Sequence, residues 1–131
     1  MPELPEVETV RTGLSRSWVG KRIDGVDLRR EGLRFPFPED LETRLIGRTI
    51  TAIRRRAKYL LIDLDNDDIL LSHLGMSGKW TLDASDCEGK HDHVVIFLDD
   101  GTMSVYNDPR RFGVMDIYSG TSHKLLDHLG P

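Results

Sequence analysis

Four short stretches of the chain combine residue types that can perform chemistry. The first is Met1-Pro2-Glu3-Leu4-Pro5-Glu6. With Met1 removed, Pro2 is a free secondary amine beside the Glu3 carboxylate, with Glu6 one helical turn on. An α-amino group titrates near ~8, so a sizeable neutral fraction exists at neutral pH and can attack a carbonyl-like carbon. A secondary amine then gives a permanently charged iminium, a strong electron sink. The plainer reading is a helix start, since proline fits the first helical position and Glu6 and Glu8 suit the positive helix end. The second stretch is Arg54-Arg55-Arg56-Ala57-Lys58-Tyr59. Its Lys58 could hold a phosphate or donate a proton, or be a solvated strand end. The third, His73-Leu74-Gly75-Met76-Ser77-Gly78, puts Met76 on a glycine-flanked loop. An exposed methionine can wedge between bases; a buried one would be core on a tight turn. The fourth, Asp108-Pro109-Arg110-Arg111-Phe112-Gly113, sets two arginines beside an aromatic. That pairing suits base contact and insertion, or else a hairpin tip with Phe112 buried.

A fifth stretch, Cys87 followed by His91 and His93, invites a metal reading. Zinc usually takes a close ligand pair such as Cys-x2-Cys or His-x3-His. His91 and His93 share a strand face only if the strand already starts at His91. No metal is therefore assigned here, and His93 is expected in the core or hydrogen-bonded.

The elements that must position these residues follow from periodicity. Val7, Val10 and Leu14 predict an amphipathic helix from about Pro5 to Leu14, closed by Ser15 to Gly20. Arg22 to Arg30 reads as a strand. Pro36 and Pro38 break regular structure, and Glu39 to Ile46 reads as a short helix ended by Gly47. From Arg48 the pattern is β. Lys58 to Leu64 carries apolar residues on both sides, which suggests burial on both faces. Ile69 to His73, Lys79 to Leu82, His93 to Leu98, Met103 to Tyr106 and Val114 to Tyr118 follow, with Asp100-Gly101 marking a hairpin. The fold class is thus mainly β with two helices: a β-sandwich or flattened barrel, its N-terminal helix carrying the nucleophile.

The chain has 131 residues, enough for one domain with a real core. Hydrophobic content of 38% and charged content of 31% are those of an ordinary globular protein. No run approaches a membrane span, and the acidic N-terminus lacks the features of a signal peptide. The single cysteine, Cys87, excludes an internal disulfide framework and suits a reducing cytoplasm. A net charge of −4 argues weakly against nucleic acid, but the two basic runs can still form a local phosphate-binding surface.

Taken together, these stretches resemble the formamidopyrimidine-DNA glycosylase family of bacterial base-excision repair enzymes. The matching blocks are Pro2-Glu3-Leu4-Pro5-Glu6-Val7-Glu8-Thr9, Arg55-Arg56-Ala57-Lys58-Tyr59-Leu60-Leu61, His73-Leu74-Gly75-Met76-Ser77-Gly78, Lys90-His91-Asp92-His93-Val94, Asp108-Pro109-Arg110-Arg111-Phe112-Gly113 and His128-Leu129-Gly130-Pro131. They stand in family order and span the chain. The resemblance implies a bifunctional glycosylase and abasic-site lyase acting on oxidised purines such as 8-oxoguanine and formamidopyrimidines. Pro2 would attack the anomeric carbon and form a Schiff base, and Glu3 would donate the proton that helps open the sugar ring. Glu6 would help to order the site, and Lys58 would donate the proton for β-elimination. Met76, Arg110 and Phe112 would fill the gap left by the extruded base. His91 and Arg110 would bind DNA, His73 would contact phosphate near the lesion with Lys58, and Arg111 would make a further DNA or structural contact.

The resemblance also implies what lies elsewhere. The family continues into a helix–two-turns–helix module and a C-terminal zinc finger holding one zinc ion. Residues 1–131 are then expected to be the N-terminal catalytic domain, without a cofactor of its own. The expected partner is damaged double-stranded DNA, with no membrane, and the expected form a monomer in the bacterial cytoplasm, associated with the nucleoid. Fewer phosphate contacts weaken DNA binding steeply, so this piece is expected to be feeble or inactive alone. The alternatives are a truncated, catalytically weak DNA-binding module of the same fold, and a metal-dependent hydrolase built on Cys87, His91 and His93.

Overall fold

The computed structural model describes residues 3–120 and 123–127. Eight strands form two antiparallel four-stranded sheets. One has the order β1 (Ile23–Leu28), β6 (Asp92–Leu98), β7 (Met103–Asn107), β5 (Lys79–Thr81). The other has the order β2 (Ile50–Arg56), β3 (Tyr59–Leu64), β4 (Asp68–His73), β8 (Val114–Ser119). Their inner faces share one core with α1 (Leu4–Trp18) and α2 (Leu41–Leu45). This is the expected sandwich of mainly β structure.

Helix α1 runs a turn further than periodicity through Leu14 predicts. The reason is Trp18, four residues after Leu14, which extends the buried stripe of Val7 and Leu14. Its indole N–H donates to Ser104 Oγ at 2.9 Å, and its ring meets Trp80 edge-on at 5.0 Å. The chain then turns at Gly20, whose φ of +87° suits glycine. Helix α2 is shorter than the Glu39 to Ile46 expected, and buries Leu41 and Leu45.

Strand β3 is buried on both faces, as its composition implies. Leu60, Ile62 and Leu64 face the main core, while Leu61 joins a second cluster with Leu71, Val114 and Leu126. Leu126 comes from a third short helix, α3 (Lys124–Asp127), which the sequence reading did not anticipate. Four residues carry too little periodicity to register as a helix. Strands β2 and β3 form a hairpin in which Arg56 pairs with Tyr59, leaving Ala57 and Lys58 as its two-residue tip. Strands β6 and β7 pair through the turn containing Asp100 and Gly101, and Lys21 reaches Asp100 at 2.5 Å. Among the described residues, every buried side-chain nitrogen and oxygen has a hydrogen-bond partner.

Candidate functional site

Glu3 caps α1, with extended backbone (φ −78°, ψ 162°) and no capping bond from its side chain. Its carbonyl accepts from Val7 N at 3.0 Å, and the side chains of Glu3 and Glu6 are exposed. An acid at this helix end is thus presented to solvent rather than spent on the helix. Pro2, the expected nucleophile, lies outside the described residues.

Lys58 stands at the tip of the β2–β3 hairpin. Ala57 before it has a φ of 51°, a left-handed backbone that glycine normally supplies. His73 pairs with Tyr59 across β3 and β4, so Lys58 and His73 share one end of the sheet. The Tyr59 and His73 rings lie 4.7 Å apart, and His73 Nδ1 accepts from Gly75 N at 3.0 Å. Burial, then the Arg34 and Lys58 charges, push the His73 pKa down and favour the neutral ring. The basic run itself is divided. Arg54 makes a two-pronged pair with Asp63, both bonds 2.7 Å, and Arg55 bonds Glu8 at 3.0 Å.

The two remaining loops meet. Met76 is 50% exposed and Phe112 48%, so neither is the core residue of the plainer readings. The Arg110 guanidinium lies 3.7 Å from Met76 Sδ and 5.6 Å from the centre of the Phe112 ring. One cation and two large apolar side chains therefore stand together at the surface. A cleft of about 380 Å³, lined by Arg34, His73, Gly75, Met76 and Phe112, links this projection to the Lys58 end of the sheet. A basic groove of about 490 Å³ adjoins it, lined by Arg29, Arg30, Arg34 and Arg111 among others.

The residue that fuses the loops was missed in the sequence. Asp108 is fully buried. Its Oδ1 accepts from Ser77 Oγ at 2.7 Å and Arg111 N at 3.0 Å; its Oδ2 accepts from Tyr106 OH and Gly113 N, both at 3.0 Å. Ser77 Oγ also accepts from Arg110 N at 3.2 Å, tying Met76's loop to Arg110's. Asp108 N donates to the His91 carbonyl at 3.1 Å, which places half-buried His91 beside the same loop. Burial and the facing Asp108 carboxylate push the Tyr106 pKa far up, so it remains a donor. The backbones touch as well: a Cβ on Gly75 would come within 2.6 Å of Gly113 N. Arg111 adopts a φ of 54°, the left-handed turn that aims its own N–H at Asp108. An aspartate before proline reads locally as a turn former. Only long-range contacts reveal it as a hub.

His93 is buried, as expected, and both ring nitrogens are used. Arg30 Nε donates to Nδ1 at 3.3 Å, and Nε2 faces the Asp108 carbonyl at 2.8 Å, so Nε2 carries the proton. Burial pushes its pKa down. Strand β6 begins at Asp92, not His91, so the two histidines are not a ligand pair on one face. Cys87 accepts two bonds from Arg29, one at its carbonyl and one at Sγ, while Arg29 Nε bonds Asp27 at 3.0 Å. Among the described residues, no three His, Cys, Asp or Glu side chains are grouped to hold a metal ion.

The arrangement offers an acid at a helix end, a lysine at a hairpin tip, and an exposed apolar–cationic projection across a basic cleft. Comparison with known proteins identifies the family. Residues 1–115 match the family model described as the formamidopyrimidine-DNA glycosylase N-terminal domain. A formamidopyrimidine-DNA glycosylase of Xanthomonas euvesicatoria pv. vesicatoria is 56% identical over 133 residues, covering 100% of this chain and 49% of the relative. One from Rhizobium etli is 48% identical over 150 residues, covering 100% of this chain and 51% of the relative. Among solved structures, Lactococcus lactis Fpg (MutM) in complex with a FAPY-dG-containing DNA superposes with a TM-score of 0.83 at 36% identity, covering 97% of this chain and 47% of that one. MutM in complex with carbocyclic 8-oxo-G-containing DNA gives 0.84 at 37% identity, covering 98% and 48%. The chain spans about half the length of the curated relatives it matches. On the extent of these matches, the chain belongs to the formamidopyrimidine-DNA glycosylase family and carries its N-terminal domain.

Proposed function

We propose that this chain serves base-excision repair as the catalytic domain of a bifunctional DNA glycosylase and abasic-site lyase for oxidised purines. The observation that carries the reading is the exposed cluster of Met76, Arg110 and Phe112. A monomeric domain that leaves two large apolar side chains and a cation in solvent has a surface meant for a partner. Flat rings and a thioether beside a guanidinium suit the gap left when a base leaves the stack. The partner is then damaged double-stranded DNA, met in the cytoplasm at the bacterial nucleoid. His91, His73 and Arg111 border the same surface and hold its backbone.

The reaction divides among the elements that carry the cluster's neighbours. Pro2, once Met1 is removed, attacks the anomeric carbon and displaces the oxidised base. Glu3 supplies the proton that opens the sugar ring and leaves an iminium between the nitrogen and the sugar carbon, and Glu6 orders the same helix end. The iminium makes the proton on the adjacent sugar carbon acidic. In β-elimination that proton is lost and the C3′–O bond breaks, with Lys58 as the proton donor, so the strand is cut on the 3′ side. No step uses a metal. On the same reading, the zinc ion expected of the family would sit in a C-terminal finger outside residues 1–131.

Borohydride trapping on a duplex bearing 8-oxoguanine tests the reading. The protein should form a covalent adduct at Pro2, and Glu3→Gln should bind the duplex without excising the base. Pro2→Gly keeps a primary amine and should lose most but not all excision. Binding without any adduct would instead support a non-catalytic module of the same fold, and unchanged excision by Glu3→Gln would remove Glu3 from its role.

A further inference from the structure

The proton donors of the proposed reaction sit on separate elements, Glu3 on α1 and Lys58 on the β2–β3 tip. Something must set the distance between them. Strand β2 stands at the edge of its sheet, beside β3. Helix α1 covers that edge, and Arg11 Nη1 bonds the Ile53 carbonyl on it at 3.3 Å. One turn earlier on the helix, both Glu8 oxygens are occupied. Oε1 accepts from Arg11 Nε at 2.9 Å and from Arg55 Nε at 3.0 Å, and Oε2 accepts from Arg11 Nη2 at 2.6 Å. Arg55 then turns its Nη1 to the Ala57 carbonyl at 3.0 Å. That carbonyl belongs to the left-handed residue immediately before Lys58.

The geometry points to Glu8 and Arg55 as positioning residues: a two-residue strut that fixes the Lys58 tip against the helix end that carries Glu3. This rests on the roles proposed above for Glu3 and Lys58. Stability is a poor explanation for the strut. The side chains of Glu8 and Arg55 remain 43% and 31% exposed, and exposed ion pairs contribute little. What it supplies is direction. A planar guanidinium holds a carboxylate on one side and a carbonyl on the other, which fixes the angle as well as the length. The Arg11 and Arg55 bonds hold the Glu8 pKa down to about 2, so the strut stays charged across the neutral range.

The two chemical steps separate the strut from general damage. Attack on a preformed abasic site and ring opening use Pro2 and Glu3 alone. Elimination needs Lys58 in register with the adduct at Pro2. The protein, with Met1 removed, is mixed in excess with a duplex carrying an abasic site, and adduct formation and strand cleavage are timed separately. Glu8→Ala and Arg55→Ala should each leave adduct formation within about twofold and slow cleavage by about tenfold or more, since a 1 Å misplacement can cost about a hundredfold. The double variant should be no slower than the worse single one, because both remove the same strut. Glu8→Gln, which keeps an acceptor for Arg55, should recover most of the cleavage rate. A parallel fall in both steps, or an unchanged ratio with a normal adduct, overturns the strut alone. No adduct from the unsubstituted protein overturns the functional reading, and the strut with it.

Discussion

Replacing Asp108 by Asn changes one atom at the centre of the two loops, and its consequence follows from counting donors. The carboxylate accepts two hydrogen bonds on each oxygen: Ser77 Oγ and Arg111 N on Oδ1, Tyr106 OH and Gly113 N on Oδ2. An asparagine amide has only one accepting oxygen. Placed at the Oδ1 position, that oxygen keeps Ser77 and Arg111, and the NH2 faces Tyr106 and Gly113. Tyr106 can rotate its hydroxyl hydrogen and accept; the Gly113 N–H cannot. The flipped amide keeps Tyr106 and Gly113 and orphans the Arg111 N–H instead. Either way one backbone donor is left facing another donor in a site where Asp108 is fully buried. An unsatisfied buried group costs about 1–3 kcal/mol, and losing the charge assistance of the surviving bonds adds to it, so the total is about 3 kcal/mol. For a chain of this size that lowers Tm by roughly 10 °C.

Thermal and urea denaturation measure the stability part. The functional part is read with 2-aminopurine placed beside the lesion, whose fluorescence rises when its neighbour leaves the stack. Asp108→Asn should bind DNA but lose most of this signal, because Met76, Arg110 and Phe112 no longer hold a common orientation. Ser77→Ala provides the gentler version. It removes the bond between the loops and the acceptor for Arg110 N, and should cost about 1 kcal/mol while dimming the same signal. An Asp108→Asn protein that melts within about 2 °C of the original and unstacks DNA normally would refute the hub.

Three further outcomes are expected. Phe112→Ala should change stability by no more than about 0.5 kcal/mol, because the ring is exposed, yet abolish the 2-aminopurine response; a large loss of Tm would mean the ring is structural. Ala57→Gly should raise stability by about 1 kcal/mol in urea, since it relieves the left-handed φ of 51°, and a loss would place the strain elsewhere. Stability should also fall as pH drops from about 6.5 towards 5. His93 and His73 both have pKa values lowered in the folded protein, chiefly by burial, so the unfolded chain binds protons first and is favoured as pH falls below the unfolded value of about 6.5. His93→Gln should flatten the urea midpoint over that range; an unchanged slope would remove the buried His93 as its source.

The run of strands along the chain, the doubly buried β3 and the hairpin at Gly101 were legible because apolar alternation and turn residues act locally; the order in which the strands pair within each sheet was not. Trp18 was legible in principle as the next step of the Val7 and Leu14 stripe, but the serine and tryptophan run after Leu14 reads as a helix end. Helix α3 was not legible, since its reason is the outer face of a sheet carrying Leu61 and Leu71, which lie far earlier in the chain. The roles proposed for Pro2, Glu3, Lys58, Met76, Arg110 and Phe112 came from the family resemblance of their sequence blocks; residue type and spacing alone left a helix start, a solvated strand end, a core methionine and a buried hairpin-tip phenylalanine open.

What only the tertiary structure decided is how those groups are held. Residue type leaves open whether Met76 and Phe112 are core or surface; the packing of the two loops on Asp108 turns them outward together. The basic run read as one surface, but cross-strand and helix contacts commit Arg54 to Asp63 and Arg55 to Glu8. His93 was separated from Cys87 and His91 by the bonds its two nitrogens make to Arg30 and Asp108. The physical reason is common to all three. A side chain's chemistry is intrinsic, whereas its direction, charge partner and exposure come from residues distant in the chain, which meet it only when the sheets close.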